Sequence, residues 1–127
     1  MADRKMVEQE AKVAWQGDSL DVVKSFPKAV RREMGLDIRR LQQGNMPHDS
    51  RPMKSIGQGV FELRQRDSNG WYRLIYLTRV GDTLYMLHGF TKKSAKTSRN
   101  DLAIATTRLK DVRAKIAEEK KHASKNK

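Results

Sequence analysis

Three apolar runs between residues 53 and 93 constrain the fold more than any other part of the chain. They are rich in Val, Ile, Leu, Tyr and Phe, and short polar breaks at residues 67–70 and 81–82 separate them. Apolar runs of this composition between turn residues predict β-strands. Because connections this short cannot carry a parallel crossover, we expect the three strands to form an antiparallel meander.

The turns also predict which residues face each other. A first hairpin centred on residues 68–69 places Arg64 opposite Arg73. A two-residue second turn places Phe90 opposite Arg73, with His88 two positions away. Since side chains alternate between the two faces of a strand, these four residues are expected on one face. Two like charges side by side destabilise a sheet, so the arginine pair favours a site for a phosphate-rich partner over a purely structural role.

Charge and composition narrow the partners. The chain has 127 residues, enough for one domain, and its 27 Lys and Arg against 15 Asp and Glu give a net charge of +12. Such an excess indicates nucleic acid, an anionic membrane surface or an acidic protein as partner. No apolar run is long enough to cross a membrane and no signal peptide is evident, so we expect a soluble, cytoplasmic protein.

Metal and thiol chemistry are not predicted. The chain contains no cysteine, which excludes disulfides, thiolate ligands and thiol catalysis. Its histidines, His48, His88 and His122, show no metal-ligand spacing, so we predict no metal and no cofactor.

The remaining elements surround the meander. Residues 12–15 are a plausible first strand, and residues 19–23 a brief helical turn. An amphipathic helix is expected from Pro27 to near Gly44, followed by a loop to Pro52. Ser98 and Asp101 resemble a weak capping box that opens a terminal helix. Two apolar stripes support these helices: Val30, Met34, Ile38 and Leu41 in the first, and Leu102, Ala105, Leu109, Val112 and Ile116 in the second.

Together these elements predict an α+β fold. A small antiparallel sheet of about four strands, possibly mixed at its edge, would be packed by helices. We divide the chain into a polar N-terminal arm (residues 1–11), a single domain (12–117) and a basic, disordered tail (118–127).

The order of the predicted elements and several short sequence motifs resemble those of a known superfamily. The chain is similar to the RelE/ParE toxins, and more specifically to their HigB-like, phage-associated branch. The similarity extends over roughly residues 12–116 and depends on four phrases in combination: Phe26-Pro27, Phe61-Glu62-Leu63-Arg64, Trp71-Tyr72-Arg73-Leu74-Ile75-Tyr76 and His88-Gly89-Phe90-Thr91-Lys92-Lys93.

The resemblance implies a ribosome-dependent mRNA endonuclease that works on mRNA held by the ribosome. It also implies a helix-turn-helix (HigA-like) antitoxin, through which the complex would bind operator DNA. ParE-like relatives on the same fold poison DNA gyrase instead, and fold alone does not decide between these functions. A basic nucleic-acid-binding module without catalysis is a further alternative.

Cleaving RNA without a metal requires stabilisation of a phosphorane formed by attack of a 2′-hydroxyl. Arginine suits this because its guanidinium fork matches phosphate oxygens and stays charged, so we assign Arg64 and Arg73 to the phosphate. Lys92, Lys93 and His88 are candidates for proton transfer. Some relatives have a catalytic tyrosine near the C-terminus, and this chain has none after Ile116, so the general base stays open.

Each assignment has a plainer alternative. Arg64 could form a salt bridge with Glu62, and His88 could be a packed core residue. Trp71 and Tyr76 are expected in the core, and the lysines of the tail on a solvated surface. The candidates for contact with nucleic acid are Lys54, Lys96, Arg39, Arg40 and Phe90.

Overall fold

A computed structural model describes residues 10–93 and 96–125. It is an α+β fold, as predicted, with one five-stranded sheet and three helices in this part of the chain. The strands are β1 (Lys12–Trp15), β2 (Ser50–Pro52), β3 (Val60–Asp67), β4 (Gly70–Val80) and β5 (Thr83–Lys92). The helices are α1 (Ser19–Lys24), α2 (Lys28–Gln42) and α3 (Arg99–Lys125), and the sheet order is β1-β5-β4-β3-β2.

The meander has the predicted registry where the candidate site lies. Arg64 pairs with Arg73 across β3 and β4, and Arg73 pairs with Phe90 across β4 and β5. His88 lies opposite Ile75, as expected. The β4–β5 register shifts after Ile75, where a bulge intervenes, and returns at the second turn. The bulge changes which face of the sheet the side chains point to, relative to the predicted register. This change affects only the half of the β4–β5 hairpin that lies away from Arg64 and Arg73.

The two edges of the sheet differ from each other. β1 pairs parallel to β5, which confirms the mixed edge. At the other edge, residues 50–52 form β2 against β3, whereas the sequence suggested a loop there. The strand is short and ends in Pro52, and proline is tolerated at an edge where its missing N–H is not needed. Apolar patterning could not show it, since residues 50–52 are partly or fully exposed.

Helices cover both faces of the sheet. On one face, Val30, Met34 and Ile38 of α2 pack against apolar residues that include Leu63 and Leu74. On the other face, the α3 stripe packs against residues that include Ile75 and Phe90. Arg64 and Arg73 alternate with Leu63 and Leu74, so the arginines lie on the α3 face.

Both ends of the predicted domain need correction. Ala11, assigned to the N-terminal arm, is buried and exchanges two hydrogen bonds with Gln42 at 2.9 and 2.8 Å, so the folded domain includes it. The rest of the arm, residues 1–9, lies outside the described residues. At the other end, α3 continues to Lys125, so disorder from residue 118 is wrong for residues 118–125. A helix that is already nucleated by packing needs only propagation, and Ala, Glu and Lys favour it.

Candidate functional site

Arg73 lies in a buried hydrogen-bond network. It is 2% exposed, and its Nη1 donates to Glu62 Oε1 at 3.0 Å and to Thr97 Oγ1 at 3.1 Å. The Thr97 hydroxyl also donates to Glu62 Oε2 at 3.1 Å. The Glu62 carboxylate therefore pairs with Arg73, and the alternative salt bridge between Glu62 and Arg64 does not form.

Arg64 has a different environment. It is 5% exposed, and within the described ranges its buried Nε finds no hydrogen-bond partner. Its guanidinium carbon lies 4.4 Å from the ring centroid of Trp71. The face of an indole ring attracts a guanidinium cation, and this attraction does not use the N–H donors of the guanidinium. Burial, followed by the charges of Arg51 and Arg73, lowers the pKa of Arg64 from its usual value.

Trp71 is the centre of the cationic cluster. Arg66 and Arg73 also approach its ring, at 5.0 and 5.4 Å from the centroid. The sheet register explains this, because Trp71 pairs with Arg66 on β3 and with Lys92 on β5. The sequence predicts Trp71 in the core, but in the structure this residue is only half-buried.

A second network surrounds Asp101 in the first turn of α3. Asp101 Oδ1 lies 2.8 Å from His88 Nε2, and its Oδ2 lies 3.3 Å from Lys92 Nζ. Ser98 Oγ donates to Asp101 Oδ2 and accepts from its backbone N–H, a variant of the predicted capping box. Burial raises the pKa of Asp101, but the hydrogen bonds from Ser98, His88 and Lys92 outweigh burial, so its pKa lies below the usual value.

His88 and Phe90 are both interior residues. They are 6% and 7% exposed and stack on each other with ring centroids 5.2 Å apart. Phe90 belongs to the apolar cluster under α3, so it lies away from any surface that RNA could touch. His88 is a packed residue held by Asp101, which agrees with the plainer alternative for it.

The structure separates most of the other residues proposed for nucleic-acid contact. Lys54 follows β2, near the Val60 end of β3, and Val60 lies about 20 Å along the strand from Arg66. Arg39 and Arg40 are on α2, across the sheet, where they pair with Glu10 and Asp37 at 3.2 and 2.6 Å.

Lys96 lies near the cluster. It is exposed and adjoins Thr97, which contacts Arg73. Lys92 is half-buried and Lys93 is exposed. The accessible cations near the cluster include Arg66, Lys92, Lys93 and Lys96. The exposed Arg51 is also close enough to Arg64 to lower its pKa.

A cavity opens beside these cations. Its volume is about 360 Å³, and it lies where the β3–β4 turn meets the end of β5. The backbones of Gly70 and Lys92 lie close together there, since a Cβ on Gly70 would lie 2.6 Å from the Lys92 carbonyl oxygen. The cavity is lined by Asn69, Gly70, Trp71, Tyr72, Thr91, Lys92 and Lys93.

Three contributors to this site were missed by sequence reasoning about function. Asp101 was treated only as a helix cap, Trp71 as core, and Thr97 not at all. A signal existed for Trp71, because the predicted hairpin register already placed it opposite Arg66. No sequence signal pointed to Thr97 or to the Asp101–His88 contact, which depend on how α3 docks.

The chemistry available here is charge stabilisation by cations together with one carboxylate that holds a lysine. Within residues 10–93 and 96–125, no group of three His, Cys, Asp or Glu side chains is arranged to hold a metal ion. No helix in the same part of the chain is long and apolar enough to cross a membrane.

Comparisons with known proteins give a consistent picture. The model of a family described as phage derived protein Gp49-like matches residues 21–110. Among solved structures, the chain is similar to a double arginine-to-alanine mutant of the Escherichia coli toxin RelE in the free state. That match has a TM-score of 0.59 and 14% sequence identity, and covers 79% of this chain and 98% of the other. A search of curated proteins found no match.

Proposed function

We propose that this chain, which belongs to the phage-derived Gp49-like family, is the toxin of a toxin–antitoxin system. In this proposal it cleaves mRNA on the ribosome. The family and the RelE-like fold support the predicted membership of the RelE/ParE superfamily. The HigB-like branch stays a prediction. The observation that carries the proposal is the group of accessible cations beside the buried arginines, at one end of the sheet.

The proposed mechanism separates the roles of the cations. Lys92 and Lys93 line the open cavity and are the groups that RNA phosphates can reach. Asp101 fixes the Lys92 ammonium at 3.3 Å, which reduces the cost of positioning it. Arg64 adds positive charge from beneath, where a poorly hydrated site strengthens its effect on a phosphorane. The reaction would be attack of the 2′-hydroxyl oxygen on the adjacent phosphorus, without a metal. The hydroxyl proton passes to a base, the bond between phosphorus and the 5′-oxygen breaks, and that oxygen leaves with a proton from an acid.

Arg73 is assigned a supporting role. Its Nη1 already donates to Glu62 and Thr97, so it organises the site instead of binding the phosphate first. His88 is also assigned a supporting role, because its Nε2 is already hydrogen-bonded to Asp101. The proton acceptor is then Lys93 or a group of the ribosome, because Asp101 holds Lys92 as an ammonium, which can only donate a proton.

The proposed partners follow from the same function. A helix-turn-helix antitoxin of the HigA type would neutralise the toxin, and through it the complex would bind operator DNA. The antitoxin surface that meets the accessible cations should be acidic, since like charges would oppose docking. A ribosomal target places the protein in the cytoplasm.

Primer-extension mapping in a reconstituted translation reaction tests the proposal. The native protein is compared with Lys93→Ala and with Lys120→Ala, an exposed lysine on α3 outside this site. We expect cuts only where ribosomes engage the message, a loss of roughly 10²-fold or more in rate for Lys93→Ala, and native cutting by Lys120→Ala.

One outcome would reject the endonuclease, and a second would reject the role given to Lys93. If the native protein stops growth but cuts no message, the endonuclease fails, and gyrase-dependent DNA cleavage is the next assay. If Lys93→Ala and Lys120→Ala cut equally, Lys93 contributes only general charge.

A further inference from the structure

The cavity beside Trp71 has the volume of a small-ligand site, and it is partly open to solvent with a mixed polar and apolar lining. Its volume of about 360 Å³ lies within the range of pockets that enclose a small molecule, roughly 300–1,000 Å³, and is far too small for a duplex. The half-buried Trp71 and both Lys92 and Lys93 are among its lining residues.

The polar groups at the cavity are available to a ligand. Lys93 is exposed and forms no ion pair with any described residue. The side chain of Asn69 likewise has no hydrogen-bond partner in the described part of the chain, since only its backbone N–H is engaged, by Asp67. Lys92 and Tyr72 are exceptions, because Asp101 holds the Lys92 ammonium and the Tyr72 hydroxyl donates to Asp67.

We propose that this cavity binds one nucleotide of a single-stranded RNA, with its base on Trp71 and its phosphate on Lys93. The inference rests on the proposed function and names a subsite for it. Base stacking on an aromatic side chain combined with cations along the backbone is how proteins hold single strands. Asn69 can donate to and accept from a base edge or a 2′-hydroxyl.

One of the three arginines beside the indole is exposed to solvent. Arg64 is buried against the ring, but Arg66 is exposed, and its guanidinium carbon lies 5.0 Å from the ring centroid. A base can displace Arg66 from the ring, and Arg66 can then neutralise a neighbouring phosphate.

Gly70 fixes the shape of the site. Its φ is +146°, and a side chain there would meet the Lys92 carbonyl oxygen. The glycine therefore lets the β3–β4 turn approach the end of β5, which brings the indole within one cavity of both lysines.

Tryptophan fluorescence tests the proposal directly. The chain has two tryptophans, so Trp15→Phe leaves Trp71 as the only reporter, and Trp71→Phe leaves Trp15. The probe is a hexanucleotide of 2′-O-methyl adenosine, which cannot be cleaved through its 2′-oxygen. Binding is measured in parallel by the fluorescence anisotropy of the end-labelled probe.

We expect saturable quenching of Trp71 and no change in Trp15. Trp71→Ala should weaken binding about tenfold or more, and Trp71→Phe less, because a ring remains. Lys93→Gln should weaken binding and reduce its salt dependence, whereas Lys120→Gln should do neither. Circular dichroism checks that each variant is folded.

The proposal is overturned if the probe binds without quenching Trp71 and with unchanged affinity for Trp71→Phe and Trp71→Ala, or if it does not bind. Displacement of the probe by polyglutamate without any Trp71 involvement would point to an acidic protein ligand and also reject it. The translation assay separates this from the proposed function. If the probe quenches Trp71 but no message is cut, the nucleotide subsite is supported and the endonuclease is rejected. If Trp71→Ala cuts messages normally, the endonuclease is supported and the subsite is rejected.

Discussion

Replacing Glu62 by glutamine should destabilise the fold by about 3 kcal/mol. The side chains of Glu62 and Arg73 are each 2% exposed and lie 3.0 Å apart. Removing one partner of a buried ion pair costs about 3–5 kcal/mol, because the other charge stays in a poorly solvated site. Glutamine keeps one acceptor oxygen, which places the expected loss at the lower end and the fall in Tm at roughly 10 °C.

Urea unfolding followed by circular dichroism measures this effect. The matched control is Arg39→Gln, which removes an exposed pair to Glu10 with side chains 58% and 42% exposed. Exposed pairs contribute less than about 1 kcal/mol. A double variant, Glu62→Leu with Arg73→Met, should recover much of the loss, since apolar residues of similar volume can replace a buried pair. If Glu62→Gln loses no more than Arg39→Gln, the assignment of Arg73 to a buried structural pair is wrong.

Two further predictions concern Asp101 and the glycines. The pKa of Asp101 is lowered in the folded state, so its contribution to stability is present above the pKa of an unfolded aspartate, about 4, and is lost as the pH falls through the folded value. Acid titration of the free energy of unfolding should therefore be flatter for Asp101→Asn than for the native protein, and identical curves would contradict this. Gly70→Ala should destabilise by about 1–3 kcal/mol because of its positive φ and the Lys92 carbonyl, whereas Gly35→Ala, in open space on α2, should stabilise by about 0.5–1 kcal/mol. Equal thermal shifts for the two glycine variants would refute the strain at Gly70.

The hairpin registry shows how far sequence reasoning reached. The pairing of Arg64 with Arg73, and of Arg73 with Phe90, was predictable because short turns fix register and the strand period is two. The stripes of α2 and α3 were predictable because the 3.6-residue period reports one buried face. β2 was missed, since three partly exposed residues carry no such period.

The burial of Arg64 and Arg73 differs from what their sequence pattern predicts. Two facing arginines suggested an open cationic surface, but both are nearly inaccessible. The alternation of side chains along a strand predicts which face of the sheet a residue lies on. It does not predict what covers that face. Docking of α3 and of residues 96–98 decides this, through Thr97 to Arg73 and Asp101 to His88.

The sequence by itself therefore determined the local order: the strands of the meander, their registry, the two amphipathic helices and the excess of positive charge. These depend on turn chemistry and periodicity, which act between near neighbours in the chain. Only the tertiary structure decided which cations stay accessible, because Glu62 and Trp71 hold the two arginines in the interior while Lys92 and Lys93 line the open cavity. Accessibility depends on contacts between residues distant in sequence, and no local pattern encodes it.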